Sequence, residues 1–257
     1  METSIRYTKP MRHFLACLLL CVAAWVPTGA TAVAPPSLEE ACGSASGLSA
    51  RSSWLQTSDG IRLFSITAGR GSTAVVLAHQ GGASLCGWVS YAKTLVRAGL
   101  RVVAFDFRGY GTSERPERRS LLLGSDLAAA VAQAHASGAT HIFLLGASMG
   151  GAAVVQNTAS LHVAGRISLS GTRLWTGYGI NEPRSLPRIR APFLYIGSRD
   201  DALAPLAEAR AIVQRIGAHD KRGVFYAGSF HGWDLVDAAP FAARTRALVL
   251  AWIRSRS

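Results

Sequence analysis

The sharpest chemical signal in the chain is Gly146-Ala147-Ser148-Met149-Gly150-Gly151, set between the apolar run His141 to Leu145 and an alanine-rich segment of helical spacing. G-x-S-x-G at a strand–turn–helix junction forces a turn so tight that the serine adopts a strained backbone. Small residues two before and two after it keep neighbouring chains from colliding, and Gly151 adds a third. The hydroxyl then projects above the sheet at the amino end of the next helix, where developing negative charge is stabilised. Ser148 is the candidate nucleophile.

A nucleophilic serine needs a general base, and the base needs a carboxylate to orient it. Three histidines follow Ser148. His231, in Gly228-Ser229-Phe230-His231-Gly232-Trp233, lies between a short strand and the last helix, beside a glycine that lets the ring reach inward. His219 stands in a charged Ala-His-Asp-Lys-Arg turn that reads as solvated. For the acid, the strand Phe193 to Gly197 runs into Ser198-Arg199-Asp200-Asp201. Adjacent turn residues point different ways, so one of Asp200 and Asp201 reaches the imidazole while the other braces the turn or the helix after Pro205. Asp234 and Asp237 lie on the segment following the histidine itself and are poorer candidates. A tetrahedral oxyanion needs two preorganised N–H donors. Met149 supplies one, and Gly81 in His79-Gln80-Gly81-Gly82 is the best source of the second. His79 reads as structural, hydrogen-bonded beneath that loop.

The elements that must hold these groups alternate along the chain. Ser53 to Thr57 and Ile61 to Thr67 flank Asp59-Gly60, a strong hairpin signal. Ala74–Ala78, Arg101–Phe105, His141–Leu145, Arg166–Ser170, Phe193–Ile196 and Gly223–Tyr226 read as strands. The continuous apolarity of runs such as AVVLA marks strands buried on both faces. Between and after them, Trp88–Ala98, Leu121–Ala136, Met149–Ala159, Leu206–Ile216 and Phe241–Ile253 have helical spacing. Strands alternating with helices of this length predict right-handed βαβ units: an α/β fold with a mostly parallel sheet covered on both faces.

Composition narrows the class. The chain has 257 residues, 49% hydrophobic and 16% charged, with 26 glycines and four cysteines, which excludes a disordered tail, a collagen, a coiled coil and a disulfide-stapled mini-protein. The net charge is +12, almost all of it arginine: Lys9, Lys93 and Lys221 are the only lysines. The basic residues are scattered apart from Arg115-Arg118-Arg119 and Arg184-Arg188-Arg190, and no nucleic-acid-binding pattern accompanies them. A cationic surface with no nucleic-acid partner is the expectation. At the amino end, Arg6, Lys9 and Arg12 precede the thirteen-residue apolar run Phe14 to Val26, a Pro27/Gly29 break and Ala30-Thr31-Ala32. These are the parts of a secretory signal peptide, too short for a membrane span of about 20 residues. Residues 1–32 are therefore expected to be a cleaved signal, with an uncleaved anchor as the alternative reading, 33–52 an extended segment and 53–257 the folded domain, secreted or held in the periplasm or cell envelope without a stable span after cleavage. Cleavage leaves Cys42 and Cys86, and two cysteines in an oxidising compartment predict one disulfide between them.

Taken together, His79-Gln80-Gly81-Gly82, Asp106 to Ser113 (DFRGYGTS), the GASMGG turn, the SRDD turn and the SFHG loop fall in the order and spacing of α/β-hydrolases. Over nearly its whole mature length the chain resembles that superfamily, and among its members the small secreted bacterial hydrolases loosely akin to dienelactone-hydrolase-like proteins. The resemblance implies a serine hydrolase needing no metal or organic cofactor, most plausibly a carboxylesterase acting on a small-molecule ester. Where relatives carry G-x-x-D at this strand end, the residue three after the glycine orients the histidine, which favours Asp200 over Asp201. Serine at the elbow argues against dienelactone hydrolase proper, which uses cysteine, and against the dehalogenases and epoxide hydrolases, which use aspartate. Gln80 departs from the glycine-type residue usual after the histidine, which bears on the Gly81 donor. About twenty residues separate Ser170 from Pro192, too few for a cap domain, so an open site is expected, with Trp175, Tyr178 and Trp233 as candidates for the acyl pocket. Two other readings share the sequence: acyl transfer to an alcohol or amine by the same triad, and a non-catalytic hydrolase-like binding protein.

Overall fold

The computed structural model describes residues 33–43, 47–117, 123–155, 158, 160–172 and 185–257. Residues 34–257 form one compact unit. The expected signal peptide, Trp175, Tyr178, Arg118, Arg119 and Arg184 lie outside the described residues. Among the described residues, no helix is long and apolar enough to cross a membrane.

One eight-stranded sheet organises the unit. Its strands are β1 (Ala50–Gln56), β2 (Arg62–Ala68), β3 (Thr73–Ala78), β4 (Arg101–Phe105), β5 (His141–Ala147), β6 (Gly165–Leu169), β7 (Phe193–Ser198) and β8 (Lys221–Tyr226). They lie in the order β1-β2-β4-β3-β5-β6-β7-β8. The β1–β2 and β2–β4 pairings are antiparallel, and every pairing from β4 to β8 is parallel. β3 is buried at all six positions, Thr73 among them, in keeping with the unbroken apolar run Ala74–Ala78. Helices α2 (Val89–Arg97), α3 (Leu123–Ala136), α5 (Leu206–Arg215) and α6 (Ala242–Arg254) connect or follow the strands. They close two apolar layers on the sheet: Val76, Phe105, Leu127 and Ile212 share one, and Val75, Trp88, Leu145 and Trp252 share the other.

Two elements differ from the sequence expectation. The segment 33–52 is not wholly extended: Ser37 caps a five-residue helix, α1 (Leu38–Cys42), through a reciprocal capping box with Glu40, and β1 already begins at Ala50. Its last residue, Cys42, is disulfide-bonded to Cys86 across a Cα separation of 5.4 Å, the pairing that the cysteine count predicts. The helix after Ser148, α4, spans only Met149–Ala153 rather than running to Ala159. The buried guanidinium of Arg166 donates to the carbonyls of Val154, Thr158 and Leu161 and to the Thr158 hydroxyl; with the Thr158 hydroxyl it engages the Val154 carbonyl, the one acceptor here that a longer helix would use.

Candidate active site

The carboxyl ends of β3, β5, β6 and β7 bring the candidate residues to one place. Ser148, between β5 and α4, has φ 50° and ψ −112°, a positive-φ conformation that costs a non-glycine residue about 1–3 kcal/mol unless its surroundings over-determine it. Here they do. Its N–H donates to Leu169 O at 2.8 Å, its carbonyl accepts Ala152 N–H at 2.8 Å, and Gly150 N–H donates to His79 O at 3.1 Å. The flanking glycines are sterically obligatory. A Cβ at Gly146 would strike the Gly150 carbonyl, one at Gly150 the Ala78 carbonyl, and one at Gly151 would stand 2.9 Å from the Gly171 Cα.

From this perch Ser148 Oγ lies 2.8 Å from His231 Nε2, and His231 Nδ1 lies 2.8 Å from Asp201 Oδ2. An ionised carboxylate only accepts, so Nδ1 carries the proton and the bare Nε2 accepts from the serine hydroxyl. Ser148 and Asp201 are buried, while the imidazole keeps 17% of its side-chain surface. Burial alone would push the Asp201 carboxyl up. The hydrogen bond and charge of His231, with the Ala204 N–H alongside, outweigh that and hold it below the usual carboxylate range.

The carboxylate on the imidazole is thus Asp201, which corrects the choice of Asp200. Beyond β7 the chain turns: Arg199 N–H donates to Tyr226 O and Asp200 N–H to Gly228 O, and both side chains are left exposed, while that of Asp201 is buried. Asp201 also braces the turn: its Oδ1 accepts from Leu203 and Ala204 N–H groups at 3.0 and 3.1 Å. One residue thus fills both roles that the sequence divided between two.

His79 holds the loop that faces the elbow. Its Nδ1–H donates to Gln80 O at 2.8 Å and its Nε2 accepts Phe107 N–H at 3.0 Å, which fixes a neutral ring. Burial pulls its pKa down to about 4. Gly81 follows in that turn, half-buried, and Met149 opens α4, where N–H groups have no intrahelical acceptor. Asp106, fully buried at the end of β4, accepts from Leu85 N–H at 2.6 Å and Thr112 N–H at 2.8 Å, and so anchors the 3-10 turn Leu85–Trp88. Trp233 packs edge-on against Trp88, with ring centroids 6.0 Å apart. Two contributors that the sequence left unassigned are Ser170, buried at φ 50° at the tip of β6, and the Gln80 side chain. A non-glycine positive φ leaves no mark in residue type, so Ser170 had no signal to find. Among the described residues no three His, Cys, Asp or Glu side chains converge as a metal-ligand set would.

Sheet order, elbow and the sequence of site-bearing loops define an α/β-hydrolase fold. The family model described as the alpha/beta hydrolase fold matches residues 73–168, from β3 to β6. Among solved structures, the chain is similar to the esterase Pf2001 of Pyrococcus furiosus at a TM-score of 0.71 and 16% identity, covering 87% of this chain and 99% of that one. A monoacylglycerol lipase of Paleococcus ferrophilus aligns with a TM-score of 0.65 and 17% identity over 76% of this chain and 99% of its own. The esterase RhEst1 of Rhodococcus sp. aligns with a TM-score of 0.64 and 19% identity over 80% and 99%. No curated protein matches the sequence.

Proposed function

We propose that the protein is a secreted serine hydrolase that cleaves carboxylic esters of small molecules through an acyl-enzyme. The observation that carries this reading is the unbroken hydrogen-bonded line Asp201–His231–Ser148 ending on a strained, pinned hydroxyl. His231 Nε2 takes the Ser148 proton as Oγ attacks the ester carbonyl. Asp201 keeps the imidazole in the tautomer that can accept and stabilises the imidazolium that forms. The N–H groups of Met149 and Gly81 hold the oxyanion, His231 returns the proton to the leaving alcohol, and water activated by the same imidazole releases the acid. The similarity to two esterases and a monoacylglycerol lipase supports ester bonds as the target. Export follows from the amino-terminal pattern, and a disulfide suits an oxidising compartment.

A chain-length series of p-nitrophenyl esters, run on the mature protein beside Ser148→Ala, tests the reading. Hydrolysis lost in the variant supports it, and wild-type rates in Ser148→Ala overturn the nucleophile. Adding an acceptor alcohol shows whether transfer exceeds hydrolysis, and the mass of the exported chain shows whether residues 1–32 are removed.

A further inference from the structure

The side chain of Gln80 stands where neither the elbow nor the triad uses it. Its Oε1 accepts the N–H of Trp233 at 3.4 Å, a bond between residues 153 apart in sequence. A backbone N–H can only donate, so the amide oxygen faces Trp233 and the NH2 is turned from it. Between His231 and Trp233 lies Gly232, at φ 60°. A Cβ there would collide with Gln80 Oε1 and stand 3.7 Å from Ser148 Cβ, so the amide and the nucleophile flank the same residue. The backbone of Gln80 is itself fixed: its carbonyl accepts from His79 Nδ1, and the His79 carbonyl accepts the Gly150 N–H of the elbow. A second contact repeats the attachment. The Trp233 ring lies over Gly87, where a Cβ would overlap the indole, and against Trp88, next to the disulfide-bonded Cys86.

We infer that Gln80 is a positioning residue for the general base: its amide ties the His231 loop to the turn after β3, so that oxyanion donors, nucleophile and imidazole share one frame. This rests on the serine-hydrolase reading. An imidazole held by Asp201 alone keeps its tautomer but loses its fixed distance to Oγ, and a displacement of about 1 Å at a reacting group costs up to roughly 100-fold in rate.

The test compares Gln80→Met, of similar length with no amide oxygen, and Gln80→Glu, which keeps an acceptor. Both are assayed on p-nitrophenyl acetate at about pH 9, well above the range in which imidazoles titrate. Gln80→Met is expected to lose roughly 10- to 100-fold in kcat with KM and Tm little changed, and Gln80→Glu to recover most of that loss. Wild-type kcat in Gln80→Met, or no recovery in Gln80→Glu, overturns the inference. If Gln80→Met does not fold, Gln80→Ser takes its place. A readout independent of substrate is the Nδ1 proton resonance of His231. It should shift or broaden in Gln80→Met and stay in place in Gln80→Glu. Wild-type protein that hydrolyses no ester would remove the functional reading, whereas an unchanged resonance in Gln80→Met removes the positioning role alone.

Discussion

Two charged networks with buried members lie at the carboxyl end of the sheet, and they are built for opposite ends. In one, Asp201 holds His231, which meets Ser148. In the other, Arg108 donates to Asp126 through Nε at 2.8 Å and to both oxygens of Asp59 at 2.6 and 2.9 Å, while its backbone N–H reaches Asp126 at 3.1 Å. The second network is closed. Its cation is permanently charged, its side chain is 1% exposed, and every donor it commits lands on a carboxylate. It joins the β1–β2 hairpin, the segment after β4 and α3. The first is open: its cation exists only when His231 takes a proton, and on the proposed function its far end is a hydroxyl that leaves the network as a nucleophile. Burial and charge are common to both, so they do not mark a reactive site. A titratable middle member and an unfinished end do.

That contrast can be broken from either side. Ser148→Ala should lower kcat by about 10³- to 10⁶-fold and leave Tm near that of wild type, because removing one hydroxyl from the open network strands no charge. Asp201→Asn should cost about 10⁴-fold in kcat, because an amide in its place lets the wrong imidazole tautomer form. Asp200→Asn, one residue away and exposed, should leave the steady-state rate unchanged. Equal losses in the two variants would refute the assignment of the acid.

In the closed network, Arg108→Met should cost about 3–5 kcal/mol in denaturant-measured stability by leaving Asp126 buried without its cation, and the activity per folded molecule should be unaffected.

The smallest effect concerns a third buried group that belongs to neither network. His79 titrates near 4 in the folded state against an ordinary imidazole value of about 6.5. Between those values the unfolded chain binds the proton that the folded one refuses. The stability due to this neutral ring is therefore whole above about 6.5 and lost as pH falls through the window to 4, about 3 kcal/mol in all. The Asp106 carboxyl, which burial pushes up, acts in the opposite sense at the acid end of the window. NMR titration of the His79 ring should give an inflection near 4, and one near 6.5 would mean that the loop beneath the site is open to water.

How much of this was legible depends on whether local chemistry or register decides. The buried strands and the elbow are local: unbroken apolar runs and glycines that no other residue could replace at Gly146 and Gly150 state their own constraint. The Cys42–Cys86 bond was legible by arithmetic. Asp201 was not, because the turn after β7 exposes the first of two adjacent aspartates and buries the second, and which of the two turns inward leaves no trace in composition. The length of α4 was hidden for a related reason. Beyond its end the Val154 carbonyl is engaged by side chains, Arg166 reaching from β6 and Thr158, and an alanine-rich run by itself predicts only continuation. Gln80 was visible as a departure from its relatives, but its contact with Trp233 lies 153 residues away.

The central claim is that Ser148, alone among the described serines, is made nucleophilic by what surrounds it. Its most direct test is peptide mass spectrometry of the folded protein after treatment with a fluorophosphonate. The account predicts a single stoichiometric adduct on Ser148, formed far more slowly in Asp201→Asn. No adduct, or an adduct on another residue with Ser148 untouched, would contradict it.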